Sequence, residues 1–225
     1  MQRGAYPADR AAALSGVPVS TLHWWARNEI LVPSISVRRV KLWSYADLMG
    51  LRVIYWLRQS KEDPDGKAVP RTTMPRVRRA LAQLVELDLG LWTEDGGPIV
   101  RVDRAGTIVL LTDPDAEAAH RQRLLDIGED ELLSVTDPFH VNEGSRGPDL
   151  RQPRPRLRIV PGKLGGSPHV EHTRVESQAL AALSVAGLSD AKIYQLYPNI
   201  QPAAVDDALD LERELQLNLQ LTVAA

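Results

Sequence analysis

The chain has 225 residues, 44% of them hydrophobic, which is enough to bury a core in two domains or in three small ones. It contains no cysteine, so disulfides and thiolate zinc sites are excluded and a reducing cytoplasm is the expected location. We expect no membrane contact, because the first residues form no apolar signal segment and no run approaches the roughly 18 apolar residues of a membrane helix.

Charge is distributed unevenly along the chain, although the 27 basic and 29 acidic residues nearly cancel. Residues 1–80 hold 14 Lys and Arg against 6 Asp and Glu, a net charge of +8. Residues 81–160 hold 9 against 15, a net of −6, and residues 161–225 hold 4 against 8, a net of −4. A basic head on an acidic remainder is typical of a protein in which one module binds phosphate.

Two short helices are predicted at the start of the chain. Pro7 opens the first, which runs to Leu14, and the break at Gly16 and Pro18 separates it from a second helix that Ser20 is expected to cap. Two short helices joined by a tight glycine turn form a helix-turn-helix, and its second helix can lie in the major groove of DNA.

A basic hairpin and a longer helix are predicted next. Residues 30–43 have the pattern of a hairpin and carry Arg38, Arg39 and Lys41. Residues 44–47 have the form of a capping box and open an amphipathic helix that extends through Leu57.

This N-terminal stretch resembles the winged helix-turn-helix of MerR-type regulators. The family's usual Tyr-Tyr pair is Trp24-Trp25 here, and its cysteine metal ligands and long dimerising coiled coil are missing. The resemblance therefore implies a DNA-binding fold without metal sensing. The matching residues are Ala12, Gly16, Val17, Ser20, Thr21, Leu22, Trp24, Trp25, Arg27, Ile30, Leu31 and Tyr45.

The resemblance and the chemistry of these side chains predict which residues contact DNA. Adjacent helical positions point about 100° apart, so only one of Trp24 and Trp25 faces the core, and we predict that it is Trp25. Operators read by such motifs are usually bound by dimers, so a homodimer is expected. The residues expected at the major groove are Ser20, Thr21, His23, Trp24 and Arg27, and those expected at phosphates are Arg38, Arg39 and Lys41.

The middle of the chain is predicted to be a small α+β layer. Thr72 or Thr73 can cap a helix that runs on to Leu87, residues 99–111 have the pattern of a β-hairpin, and another helix is expected over residues 114–127. Basic residues at a helix start oppose the helix dipole, which favours either an external phosphate or a solvated face. Those of the first helix are Arg76, Arg78 and Arg79.

Residues 144–168 have the composition of a linker. Ten of these 25 residues are Gly or Pro, and five arginines are interspersed, which favours extended and weakly ordered chain. The part from Leu157 to Val160 is alternatively the first strand of the domain that follows.

Three short helices are predicted after the linker, with Gly187 ending the first, Ser189 capping the second and Pro202 opening the third. This pattern resembles the small helical domain of unknown function in VapB-like antitoxins of bacterial toxin–antitoxin pairs, although His172 replaces the family's usual Gly. The matching residues are Gly166, Pro168, Val170, Thr173, Arg174, Val175, Ala186, Gly187, Leu188, Ser189, Ile193, Tyr197, Pro198, Ile200, Val205, Ala208 and Leu209.

The last residues alternate between leucine and polar side chains. A period of two is a strand signal, and a lone strand must pair with the body, with a second copy or with a partner. A frayed continuation of the last helix is an equal alternative. We regard four leucines as candidates for toxin binding or dimerisation: Leu215, Leu217, Leu219 and Leu221.

No catalytic or metal motif is predicted. His169 and His172 lie three residues apart in a glycine-rich loop, and no third ligand has a suitable spacing, so we expect a surface turn, no cofactor and no enzyme activity. An enzyme would require catalytic carboxylates in the middle segment, whose acidic residues lie at predicted helix starts instead.

Together these features predict a mainly α fold with small β elements (α+β). We expect a MerR-like head over residues 1–90, a middle segment over 91–143, a linker over 144–156 and a helical antitoxin-type domain over 157–225. The expected function is that of a VapB-like antitoxin that binds a PIN-domain ribonuclease toxin and represses its own operon. The alternative is a ligand-responsive regulator of MerR-like type, whose acidic part senses a small molecule.

Overall fold

The fold is mainly helical with small antiparallel β elements, as the sequence predicts. A computed structural model describes residues 4–58, 61–62, 68–69, 71–103, 106–111, 132–142 and 145–221. The helix predicted over residues 114–127 lies outside the described residues.

The predicted helix-turn-helix consists of α1 (Ala8–Ser15) and α2 (Val19–Arg27). Gly16 follows α1 with a φ of 76°, a left-handed conformation that favours glycine. The prediction that Ser20 caps α2 is wrong. The carbonyl of Pro18 already accepts a hydrogen bond from the N–H of Leu22 at 2.9 Å, so the helix begins two residues earlier.

A capping box opens α3 (Tyr45–Arg58), as predicted. The N–H of Ser44 donates to Asp47 Oδ2 at 2.7 Å, and the N–H of Asp47 donates to Ser44 Oγ at 3.1 Å. The N–H and the hydroxyl of Ser34 also donate to Asp47 Oδ2, both at 2.9 Å. One carboxylate thus joins the segment after α2 to the start of α3.

The predicted hairpin is shorter than residues 30–43. Ser36 and Leu42 form an isolated antiparallel bridge, with N–H···O distances of 2.9 and 3.2 Å, and the loop between them is the wing. Beyond it, β2 (Leu42–Trp43) pairs with β1 (Tyr6–Pro7), so the base of the wing is fixed to the chain's first described residues.

The middle segment combines a helix with a three-stranded sheet. Helix α4 (Met74–Val85) has Thr73 at its N-cap position, as predicted, although no side-chain hydrogen bond caps it. The sheet has the order β6-β5-β7, and the predicted hairpin is formed by its first two strands. The strands of this region are β3 (Lys61–Glu62), β4 (Ala68–Val69), β5 (Ile99–Asp103), β6 (Ile108–Leu111), β7 (Leu132–Ser134), β8 (Phe139–Asn142) and β9 (Ser145–Gly147).

The C-terminal part contains the three predicted helices. Gly187 has a φ of 88° just after the first, and Ser189 is at the N-cap position of the second. The expectation of a strand in the tail is wrong, because the third helix continues to Leu221. The elements are β10 (Leu157–Arg158), which pairs with β11 (His169–Val170), then α5 (Ser177–Val185), α6 (Asp190–Leu196) and α7 (Pro202–Leu221).

The prediction of a weakly ordered extended segment is wrong for residues 145–168, which fold onto the body. Arg154 contacts Asp210 at 2.7 Å and Glu214 at 2.5 Å, both on α7. Leu150 and Leu157 are fully buried. The interspersed arginines are therefore partners of the acidic face of α7, a contact between distant parts of the sequence that composition alone does not indicate.

The head packs directly on α7. Arg10 of α1 donates two hydrogen bonds to the carboxylate of Glu212, at 2.6 and 2.7 Å. The buried amide of Asn218 accepts from the N–H of Arg146 at 3.1 Å and donates to the carbonyl of Ala13 at 3.3 Å. The two ends of the chain thus share one core.

A fully buried arginine, Arg52 of α3, holds this core together. Its guanidinium donates hydrogen bonds to five backbone carbonyls and stacks on the ring of Phe139 at 5.6 Å. Burial lowers the pKa of Arg52 to about 10, which leaves it charged at neutral pH. The acceptors are the carbonyls of Leu14 (2.8 Å), Ser15 (3.3 Å), Val135 (3.0 Å), Asp137 (2.7 Å) and Pro148 (2.5 Å).

Candidate nucleic-acid interface

Helix α2 turns one face to the core and the other to solvent. Leu22 and Trp25 are buried, so the prediction that Trp25 is the core member of the tryptophan pair is confirmed. Ser20, Trp24 and Arg27 are exposed, and their spacing of i, i+4 and i+7 places them on one face. Half of Trp24 is accessible to solvent, which is unusual for a tryptophan on a free surface.

The other two residues expected at the major groove, Thr21 and His23, are partly buried. They flank the exposed face of α2 and do not lie at its centre. The surface that α2 offers to a partner is therefore narrower than the five predicted residues, and it combines a hydroxyl, an indole and a guanidinium.

The wing presents cations at its tip. Arg38 and Arg39 are exposed, whereas Lys41 is partly buried. The Ser36 hydroxyl donates to the carbonyl of Val40 at 2.9 Å, which closes the tip. Val40 is 63% exposed, so apolar and cationic groups alternate on this loop. That combination suits a contact with the sugar-phosphate backbone, which has both charge and apolar sugar surface.

A second set of arginines lies on α4 and is exposed. Leu81 of α4 and Leu31, which follows α2, meet over Gly50 of α3, where a Cβ would lie 3.1 and 3.5 Å from their methyl groups. Helix α4 is thereby held beside the segment that leaves α2. Within the described ranges these arginines have no carboxylate partner, so both an external phosphate and a solvated face remain open. They are Arg76, Arg78 and Arg79.

The four tail leucines do not form one surface. Leu215 is buried in the core, Leu219 is partly buried against it, and Leu217 is 56% exposed. Alternate residues of a helix point in different directions, so the arrangement expected of a strand is lost. Among these candidates, Leu217 is the one available to a partner; the side chain of Leu221 lies outside the described part of the chain.

A paired substitution tests this arrangement. We expect Leu215→Ala to lower the free energy of unfolding by about 2–5 kcal/mol, since it removes a buried side chain and leaves a cavity. Leu217→Ala, the matched change two residues away, should alter it by no more than about 0.5 kcal/mol. Urea unfolding of both variants measures the difference, and equal losses would contradict the helical register of α7.

The two histidines considered as metal ligands have different environments. His169 is fully buried, with Nδ1 3.0 Å from the carbonyl of Ser167 and Nε2 3.0 Å from Glu94 Oε1, whereas His172 is exposed and its N–H donates to the same oxygen. Lys163 Nζ lies 2.6 Å from that oxygen. Burial alone would raise the pKa of Glu94, but hydrogen bonds from Lys163, His172 and His169 outweigh it and lower the pKa.

This Glu94 cluster joins the middle segment to the C-terminal part. In the ranges that the structure covers, no group of three or more His, Asp or Glu side chains could hold a metal ion. Sequence analysis missed Glu94 because its partners lie more than 60 residues away along the chain and no local motif marks it.

A groove of about 800 Å³ separates the base of the wing from the C-terminal part. Ser34 and Ser44 of the capping box line one side, and Val160, Gly162 and Lys163 line the other. Residues 85–93, with Trp92, form its floor. Its volume is in the range of small-molecule sites, and its walls are mostly apolar with a few polar groups.

Residues 158–210 match the model of a family described as "Protein of unknown function (DUF433)". The match runs from the end of β10 into α7, and it confirms the expected presence of a domain of unknown function in this part of the chain. No curated protein and no solved structure matches the chain. Over the described residues, no helix is long and apolar enough to cross a membrane.

Proposed function

We propose that this protein is a DNA-binding antitoxin that represses its own operon and neutralises a PIN-domain ribonuclease. The observation that carries the DNA-binding half is the solvent-facing side of α2, where Ser20, Trp24 and Arg27 lie together beside a cationic wing. Residues 1–80 carry a net charge of +8, so the phosphate-binding term acts where the motif lies.

The head supplies the parts of a winged reader. Helix α2 would enter the major groove and its Arg27 would contact guanine or a phosphate. Arg38 and Arg39 of the wing would contact phosphates on the adjoining backbone, and Ser20 near the start of α2 would do the same. A homodimer would place two such heads on two half-sites of the operator.

The antitoxin half of the proposal is supported by the resemblance of the C-terminal part to VapB-like antitoxins. The acidity of that part does not add to the support, because several acidic side chains of α7 already pair internally with arginines. A partner would instead meet exposed apolar side chains such as Val185, Leu196 and Leu217.

Co-expression with the product of the adjacent gene tests the antitoxin role. We expect a complex that survives purification, and a neighbour that arrests growth only when this chain is absent. The Leu217→Asp variant, with Gln216→Asp as its matched neighbour, then tests whether α7 takes part. A harmless neighbour that does not co-purify would overturn the antitoxin proposal and leave the DNA-binding half standing.

The second function is that of a ligand-responsive regulator, and the groove of about 800 Å³ beside the capping box favours it. A ligand there would contact the base of the wing through Ser34 and Ser44, and so would alter DNA affinity. Operator binding that changes with a small molecule in the absence of any protein partner would distinguish this function from the first.

A further inference from the structure

Two buried N–H groups near Trp92 form no hydrogen bond. Trp92 is 4% exposed, and its Nε1 has no hydrogen-bond partner among the described residues. The Nε of Arg151 is also buried and without a hydrogen bond there. A buried donor left unpaired costs about 1–3 kcal/mol, so two in one place require an explanation.

The hydroxyl of Tyr45 does not supply it. The Tyr45 ring lies edge-on to Trp92, with centroids 5.8 Å apart and planes at 65°. The hydroxyl is close enough to influence the indole, but it donates to the carbonyl of Leu150 at 2.8 Å and forms no hydrogen bond of acceptable geometry with Trp92.

Both donors line one cavity of about 320 Å³, on the side of Trp92 away from the larger groove's capping-box wall. Gly97 leaves space at this edge of the indole, since a Cβ there would lie 2.7 Å from Cδ1 and 3.2 Å from Nε1. The turn is held by Thr93, whose N–H donates to the carbonyl of Gly96 at 2.8 Å. The cavity is therefore a built feature with a defined wall.

The charges of the walls indicate which class of molecule fits. The arginines there are already paired: Arg151 Nη2 lies 3.3 Å from Asp137, and Arg158 Nη2 lies 2.5 Å from Glu171. A further anion would meet like charge, whereas a neutral oxygen acceptor would satisfy the free N–H groups without that cost. Three carboxylate residues line the cavity: Glu94, Asp95 and Asp149.

We propose that this cavity binds a neutral molecule of the amide class, whose carbonyl oxygen accepts hydrogen bonds from the Nε1–H of Trp92 and the Nε–H of Arg151. Nitrogen-bound hydrogens of the amide would face the carboxylates of the same walls. The site is independent of the DNA-binding face of α2 and of the exposed residues of α7.

The indole N–H signals of the isotope-labelled full chain report on the site directly. The five tryptophans give separate signals in a proton–nitrogen correlation spectrum, and Trp92→Phe identifies the one that matters. We expect benzamide to shift the Trp92 signal saturably, in the millimolar range. Benzoate has the same size and shape, and we expect it to bind about tenfold more weakly or worse, because of its charge.

Two glycines provide matched variants. Gly97→Ala would fill the space beside the indole N–H and abolish the saturable shift, whereas Gly96→Ala has nothing within 4 Å of its added Cβ and should leave it intact. A shift that never saturates, or one that survives Gly97→Ala, would overturn the proposal and assign the donors to ordered water. Equal binding of benzoate would overturn the choice of a neutral ligand. If Gly97→Ala does not fold, the comparison of benzamide with benzoate on the natural chain decides alone.

Discussion

We expect Arg52→Met to lower the free energy of unfolding by about 3–5 kcal/mol. Methionine fills much of the same volume, so the loss comes mainly from the five backbone carbonyls that lose their donor in a buried site. Those carbonyls belong to the end of α1 and to the segments on either side of β8 and β9. Removing the guanidinium would therefore loosen the head and the middle segment together.

Urea unfolding of the full chain measures this loss, and Arg79→Met is the matched control. Arg79 is an exposed arginine on the neighbouring helix, so the same change there should cost no more than about 0.5 kcal/mol. Arg52→Lys keeps the charge but has fewer donors in a different geometry, and we expect an intermediate loss. A loss below about 1 kcal/mol in Arg52→Met would mean that the carbonyls find other donors.

The second large effect concerns DNA. We expect the double substitution Arg38→Gln and Arg39→Gln to reduce the salt dependence of operator binding, lowering the slope of log K against log salt by about two. Each exposed guanidinium that meets a phosphate releases about one counterion, and glutamine keeps the length but not the charge. Binding to the DNA upstream of the gene, measured at several salt concentrations, gives both slopes.

A second double substitution controls for net charge. Arg174 and Arg213 are exposed in the acidic C-terminal third, so replacing both with glutamine changes the total charge equally but away from the wing. We expect that variant to keep the natural slope. Equal slopes for the wing variant and the natural chain would show that the wing does not contact phosphate.

Local signals predicted much of the head. The capping box was visible because Ser44 and Asp47 lie three residues apart and satisfy each other's N–H groups, independently of the rest of the fold. The assignment of Trp25 to the core followed from helical geometry alone. Ser20 misled because its residue type suits an N-cap, while the preceding proline had already set the backbone.

The tail shows how a period of two can conceal a helix. Leucines at every second position include Leu211, Leu215 and Leu219, which are spaced by four and therefore lie on one helical face. The first two are fully buried and the third is partly buried. The alternation satisfied both periods, and only the packing of α7 against the body selects between them.

Contacts between distant residues were beyond prediction from one sequence. Arg52 occupies a helix whose pattern suggested an ordinary polar position, and its acceptors come from four separate segments of the chain. The arginines of residues 154–158 had the composition of a linker, and only the position of α7 explains them.

The junction of Arg10 with Glu212, and of Ala13 with Asn218, has a consequence for synthesis of the chain. These contacts join residues about 200 positions apart, so the ribosome releases the basic head long before the helix that completes its core is made. Such distant pairing slows folding and leaves apolar surface open on the nascent chain. A product that stops before α7 would therefore carry the whole DNA-reading motif without its support, and we expect it to be degraded or to aggregate before it could occupy an operator.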